Sequence, residues 1–236
     1  MKSTLKFFLT FLAIFLFYQT LLGQTVLLYE SRNNENLITE SGQNLKRFSH
    51  IYIRTAFITP KDNPGARIIY GSSLNLAAGV RKKYKIGSVY SLGFDIEAQF
   101  TDYKLKQSAG KVLPDTILHD VSRMDYSSLG LGFYNRFNFD PHRGNFMGTF
   151  FDLGIMGNLY YSINSISKTK LPDGTKLKSI TSNLKYVNNI DARAYARLGF
   201  SHVCIYGSYR LTDLFKKTWD YPELPKLIVG LELGLY

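Results

Sequence analysis

The sequence predicts an all-β fold, an eight-stranded antiparallel up-and-down transmembrane β-barrel, and three observations carry that prediction. Apolar residues recur at every second position in runs between Ile51 and Leu235, the period of a strand with one apolar and one mixed face. The connections between eight such runs alternate long and short, as in membrane barrels with long outer loops and short periplasmic turns. Finally, Lys2 and Lys6 precede an apolar stretch over 7–22 that ends at small Gly23, the pattern of a secretory signal peptide.

The runs follow in order. Ile51, Ile53 and Phe57 oppose Tyr52 and Arg54; Leu74, Leu76, Ala78 and Val80 oppose Ser73, Asn75, Gly79 and Arg81. Phe94, Ile96, Ala98 and Phe100 oppose Gly93, Asp95, Glu97 and Gln99; Leu129, Leu131, Phe133 and Phe137 oppose Gly130, Gly132, Tyr134 and Arg136, with Asn135 interrupting the apolar side. Phe151, Leu153, Ile155, Leu159, Tyr161 and Ile163 oppose Asp152, Gly154, Asn158 and Tyr160. Ala192, Ala194, Ala196 and Leu198 oppose Asp191, Arg193, Tyr195 and Arg197; Val203, Ile205 and Tyr209 oppose Cys204, Tyr206 and Arg210. The last run is the clearest: Leu227, Val229, Leu231, Leu233 and Leu235 share one face, and Ile228, Gly230, Glu232 and Gly234 the other.

The connections are predicted at 59–67, 82–87, 103–126, 140–145, 164–189, 200–201 and 213–226. Long and short alternate, which places both termini of the barrel on the short-turn, periplasmic side. A soluble β-sandwich shares the alternation of side chains but has no reason to alternate its loop lengths. The organisation predicted is therefore a signal peptide over 1–23, a polar periplasmic extension of low order over 24–48, and an outer-membrane barrel over 49–236.

Composition narrows the class further. Of 236 residues 45% are hydrophobic and 15% aromatic, which excludes a disordered chain. A mean hydropathy of −0.11 with a single long apolar run excludes a bundle of membrane helices. A lone Cys204 permits no intramolecular disulfide. The net charge of +11 is partly carried by Lys168, Lys170, Lys176, Lys178 and Lys185 in the connection over 164–189. At a cell surface these would be drawn to lipopolysaccharide phosphates; a solvated loop is the plainer reading. Nucleic acid is not expected as a partner, since the basic residues accompany no binding motif.

With the apolar faces on lipid, the mixed faces converge on a lumen holding Arg54, Arg81, Asp95, Glu97, Arg136, Asp152, Asp191, Arg193, Arg197, Arg210 and Glu232. Eight strands leave room only for side chains, so these charges are expected to pair as a structural network, with no channel. No cofactor or metal is expected, because His50, His119, His142 and His202 lack ligand spacing. G-x-S-x-G, H-E-x-x-H and phosphate-loop motifs are missing from the sequence. Ser201–His202 and Ser49–His50 are sequence neighbours, which on a strand sends the two side chains to opposite faces; neither is expected to be catalytic.

The closing stretch, Tyr209-Arg210-Leu211-Thr212-Asp213-Leu214-Phe215-Lys216, a loop with Pro222 and Pro225, then Val229-Gly230-Leu231-Glu232-Leu233-Gly234-Leu235-Tyr236, resembles the last hairpin of the PorT-type outer-membrane β-barrel family of Bacteroidota. The terminal aromatic is out of phase with the Leu face, where that family's pattern would have it in phase. The resemblance implies an integral outer-membrane protein, in some members an accessory of secretion or gliding machinery, and it supplies no catalytic residues. The expected function is a non-enzymatic barrel that anchors, scaffolds or displays loops, with outer-membrane lipid, lipopolysaccharide and secretion or surface-assembly proteins as its candidate partners. A lipid-modifying enzyme and a soluble exported lipid-binding barrel stand as alternatives.

Overall fold

The computed structural model describes residues 40–60, 63 and 65–236. The predicted signal segment, and 24–39 of the predicted extension, lie outside the described residues.

Among the described residues there are nine strands, all but β6 marked by alternating side chains: β1 (Arg47–Ile58), β2 (Leu74–Lys85), β3 (Tyr90–Leu105), β4 (Val121–Asn138), β5 (Thr149–Lys170), β6 (Lys176–Ser182), β7 (Ile190–Phe200), β8 (Val203–Arg210) and β9 (Leu227–Leu235). Each pairs antiparallel with its sequence neighbours, except that β7 bypasses β6 to join β5. The first strand pairs the last, Arg54 facing Glu232, so eight strands close a ring. Closure satisfies every strand edge within the ring, the only way a sheet can be surrounded by lipid. The ninth strand, β6, stands outside the ring on the far end of β5.

Two predicted loops are therefore partly sheet. In 103–126, β3 continues to Leu105 and β4 begins at Val121; in 164–189, β5 runs to Lys170 and turns back as β6. The β5–β6 turn is set by Gly174 at φ 85° and by the Asp173 carboxylate, which accepts the Thr175 N–H at 2.8 Å. Serine, threonine and lysine dominate this hairpin, so it lacks the apolar alternation that marks the other strands. A bulge where Ser127/Ser128 meet β5 leaves Tyr161 outside, 64% exposed, and turns Ile163 inward to 7%. Ile163 thus lies on the opposite face from its predicted one, because the extra residue resets the two-residue phase.

The face assignment is otherwise unambiguous. Ile96, Leu131 and Ile155 are more than 60% exposed on the outside, while Tyr52, Asp95, Tyr134 and Asp152 are fully buried inside. The soluble lipid-binding alternative needs the leucine faces inward, and the fold has them outward.

The interior has three layers. At the long-loop end, Ala66, Ile68, Leu113, Leu184, Val187, Leu214, Phe215 and Leu224 fold from the connections onto Tyr103, Met124, Tyr126 and Tyr160 of the strands, forming an apolar cap. A charged layer occupies the middle. At the short-turn end Met147, Phe150 and Cys204 pack with Phe48 and Tyr236. The described part of the N-terminal extension is ordered there: Asn44 donates to the carbonyls of Arg143 and Gly144 at 2.9 and 3.1 Å, and Lys85 donates to the Asn44 carbonyl at 3.0 Å.

Candidate functional site

The charged layer is built by the ring itself, since inner-face positions on different strands reach the same level through strand tilt. Eight of the eleven predicted lumen charges form one chain of alternating sign. Glu97 meets Arg54 at 2.7 Å, and Arg54 lies 3.8 Å from Glu232. Glu232 contacts Arg81 at 2.7 Å, and Arg81 contacts Asp95 at 2.7 Å. Asp95 contacts Arg197 at 2.9 Å, Arg197 contacts Asp152 at 3.0 Å, and Asp152 closes on Arg136 at 2.7 Å. Four acids and four arginines cancel, and each side chain in this chain is at most 1% exposed.

The remaining three charges sit nearer the long-loop end. Asp191 and Arg193 pair at 2.8 Å, with Tyr160 donating to the same carboxylate. Arg210 is joined to Glu223, a residue of the 211–226 connection that sequence reasoning did not place in the lumen, and donates to the Leu224 carbonyl at 3.1 Å. Arg210 thereby holds the 211–226 connection onto β8.

Sequence reasoning also left out the aromatic half of the site. Tyr52 donates to Glu97 and Tyr195 to Asp95, both at 2.6 Å. The guanidinium of Arg54 lies 4.0 Å over the Tyr206 ring, and that of Arg136 lies 3.5 Å over Phe150. Burial of an arginine is less costly when ring faces as well as carboxylates contact it. The signal was in the sequence, since these tyrosines occupy the mixed faces beside the charges. Glycines make the space: a Cβ at Gly93 would fall 2.3 Å from the Tyr134 hydroxyl, and one at Gly199 would fall 2.1 Å from the Phe150 ring.

Ser201 and His202 differ from expectation. They form the turn between β7 and β8, where Ser201 adopts φ 53°, and a turn does not send neighbours to opposite faces. Ser201 Oγ therefore reaches His202 Nδ1 at 3.0 Å. The imidazole stacks on Tyr236 at 4.3 Å, and the Tyr236 hydroxyl donates to the Ser201 carbonyl at 2.8 Å. These contacts fasten the chain's last residue to a turn, and account for the out-of-phase Tyr236: it leaves the β9 register to join Phe48 and His50. His50 itself is buried, on the inner face. Among the described residues no group of three His, Cys, Asp or Glu side chains is placed to hold a metal ion.

Above the apolar band, which ends at Leu129 on β4, Asp102 and Asp125 face each other with Arg123 3.4 and 3.5 Å away. Burial, and then the charge of Asp102, pushes Asp125 up to about 6.

No protein-family model matches the chain, and no curated protein matches it in sequence. Solved structures similar to it include Ail, the attachment invasion locus protein of Yersinia pestis, in complex with the heparin analogue sucrose octasulfate, at 11% identity and TM-score 0.33, covering 79% of this chain and 97% of that one. A second structure of Ail is 12% identical with TM-score 0.30, covering 80% and 99% respectively. The barrel assignment rests on this chain's own strand pairing.

Proposed function

We propose that the chain is a non-enzymatic integral outer-membrane β-barrel with a side-chain-filled lumen, both ends of the barrel lying on the periplasmic side. One observation carries the reading: a closed ring bears an apolar outer band while its interior is occupied by a neutral chain of buried ion pairs. That distribution is stable with lipid outside and suits neither an aqueous pore nor a soluble lipid carrier. The work of such a barrel lies at its ends, as an anchor, a scaffold or a displayed surface. The resemblance of the final hairpin to the PorT-type family supports a finer reading, an accessory of a secretion or gliding assembly.

The test is affinity purification of the tagged chain from mildly solubilised native membranes, with the soluble periplasmic fraction processed alongside. Stoichiometric recovery with secretion or motility proteins is the expected result for an accessory. Recovery alone from the outer membrane would leave an autonomous anchor, and recovery from the soluble fraction would overturn the membrane reading. The Ser201–His202 contact gives the enzymatic alternative its one geometric support. It predicts a change in lipid A acylation on deletion that Ser201→Ala fails to restore; an unchanged lipid A profile rejects it.

A further inference from the structure

The β5–β6 hairpin places like charges opposite one another. Lys168 is the register partner of Lys178, and Lys170 that of Lys176, so four ammonium stems share one face of a two-stranded ribbon. Side chains directly opposite on an antiparallel pair have Cβ atoms about 5 Å apart, and like charges there destabilise the pairing. All four lysines are exposed, and none of them forms an ion pair among the described residues. The nearby acids have other partners: Asp120 accepts the Lys170 backbone N–H, Asp173 caps the turn, and Asp102 and Asp125 flank Arg123, with Lys178 acting on Asp125 only as a secondary charge.

The face belongs to the outward side of the barrel. By the register of β3, β4 and β5, the row Lys104, Arg123, Ile166 lies on the same side as Phe100 and Leu129 of the apolar band, and the row Val121, Lys168, Lys178 lies beyond it. Lys168 is seven residues past Tyr161, the last exposed aromatic of the band on β5. At about 3.3 Å per residue that is roughly 20 Å along the strand. Such a distance exceeds the screening length of about 8–10 Å at physiological salt, so phosphates lying at the membrane surface itself are largely out of reach. The occupant that fits is an anion that projects from the outer leaflet beside the barrel wall.

We propose that the Lys168/Lys178 and Lys170/Lys176 pairs bind the phosphorylated saccharide of lipopolysaccharide standing next to the barrel, each phosphate bridging two ammonium groups across the hairpin. The proposal rests on the outer-membrane reading above. Bridging replaces the repulsion within each pair by attraction to a shared anion, and fastens the projecting hairpin to the lipid annulus.

The experiment reconstitutes the full barrel in three bilayers: phosphatidylcholine alone, phosphatidylcholine with phosphatidylglycerol, and phosphatidylcholine with lipopolysaccharide. Lipid retained by the purified protein and the temperature at which the folded form is lost are both recorded. The wild type is expected to fold in all three and to gain thermal stability only with lipopolysaccharide, with the gain falling as salt is raised. Replacing the four lysines by glutamine is expected to leave folding in phosphatidylcholine unchanged and to reduce retained lipopolysaccharide at least about tenfold. A variant with the same four lysines changed to arginine is expected to keep binding, which separates lost charge from a damaged hairpin. Equal stabilisation by phosphatidylglycerol, or lipopolysaccharide retention unaffected in the glutamine variant, overturns the proposal. Lysine-dependent binding of a soluble polyphosphate without any of lipopolysaccharide overturns the lipid assignment. Failure to insert into any bilayer would instead overturn the membrane reading.

Discussion

Asp95 on β3 receives Arg197 from β7 at 2.9 Å, although β4 and β5 lie between those strands in the ring. The contact crosses the lumen, and the same carboxylate also holds Arg81 at 2.7 Å and the Tyr195 hydroxyl at 2.6 Å. Asp95 thus joins opposite walls of the barrel, as does Gln99 of β3, which accepts from Arg193 of β7 at 3.4 Å. Asp95→Ala leaves two buried guanidinium groups each short of a carboxylate, and breaking a buried pair in this way typically costs about 3–5 kcal/mol. The expected result is a large drop in the temperature at which the folded band disappears on a gel run without boiling. Liposome swelling should show no solute flux for either wild type or variant, because the apolar layers above and below the charges remain.

The apolar cap makes a second claim. Leu224 is 1% exposed and packs with Leu214 and Phe215 of the same connection, while Lys216 and Lys217 are exposed beside them. Leu224→Ala should cost about 2–5 kcal/mol of local stability. Trypsin added to intact cells should then cut after Lys216 or Lys217 faster than in the wild type. An unchanged cleavage rate would mean that the connection is not held by its leucines.

Gly199 and Phe150 provide a test of packing in the short-turn layer. Since the three atoms nearest a Cβ at Gly199 all belong to the Phe150 ring, Gly199→Ala should destabilise by about 1–3 kcal/mol through overpacking. In a Phe150→Ala background the same change should cost close to nothing. A double-mutant cycle by unfolding in detergent measures that coupling, and additive effects would contradict the packing described.

The Asp102–Asp125 pair gives the barrel a pH dependence above the membrane. Asp125 is raised from 3.8 to about 6, so the folded chain holds its proton more tightly than the unfolded chain does. Its contribution to stability is therefore full below about pH 4 and is lost as the pH rises through about 6. Asp125→Asn removes that loss, and the variant should exceed the wild type near neutral pH by on the order of 1 kcal/mol, discounted for solvent screening. The difference should vanish toward pH 4. Urea unfolding of the two proteins across this range reads the effect directly.

The ring was legible because a barrel wall imposes a two-residue period on every strand it contains. Leu227, Val229, Leu231, Leu233 and Leu235 announce β9 without help from any other part of the molecule. The same logic fails where the wall leaves the lipid. Lys168, Lys170, Lys176 and Lys178 alternate with Thr169, Leu177 and serines, and water on both faces removes the contrast by which a strand is recognised. At Ile163 the pattern misled, since the bulge beside Tyr161 changes the phase and no residue type marks it.

The sequence by itself determined which side chains face inward and outward over most of the membrane-spanning height, and that the inward set carries charges of both signs. Only the tertiary structure decided which acid meets which arginine, that tyrosine rings share the lumen with them, and that the four long connections fold down as an apolar cap. The reason is physical: side-chain direction is a local consequence of strand geometry, repeated every two residues. The pairing of Asp95 with Arg197, or of Arg210 with Glu223, depends on tilt, closure and loop path, which are set by all strands at once and leave no mark on any one of them.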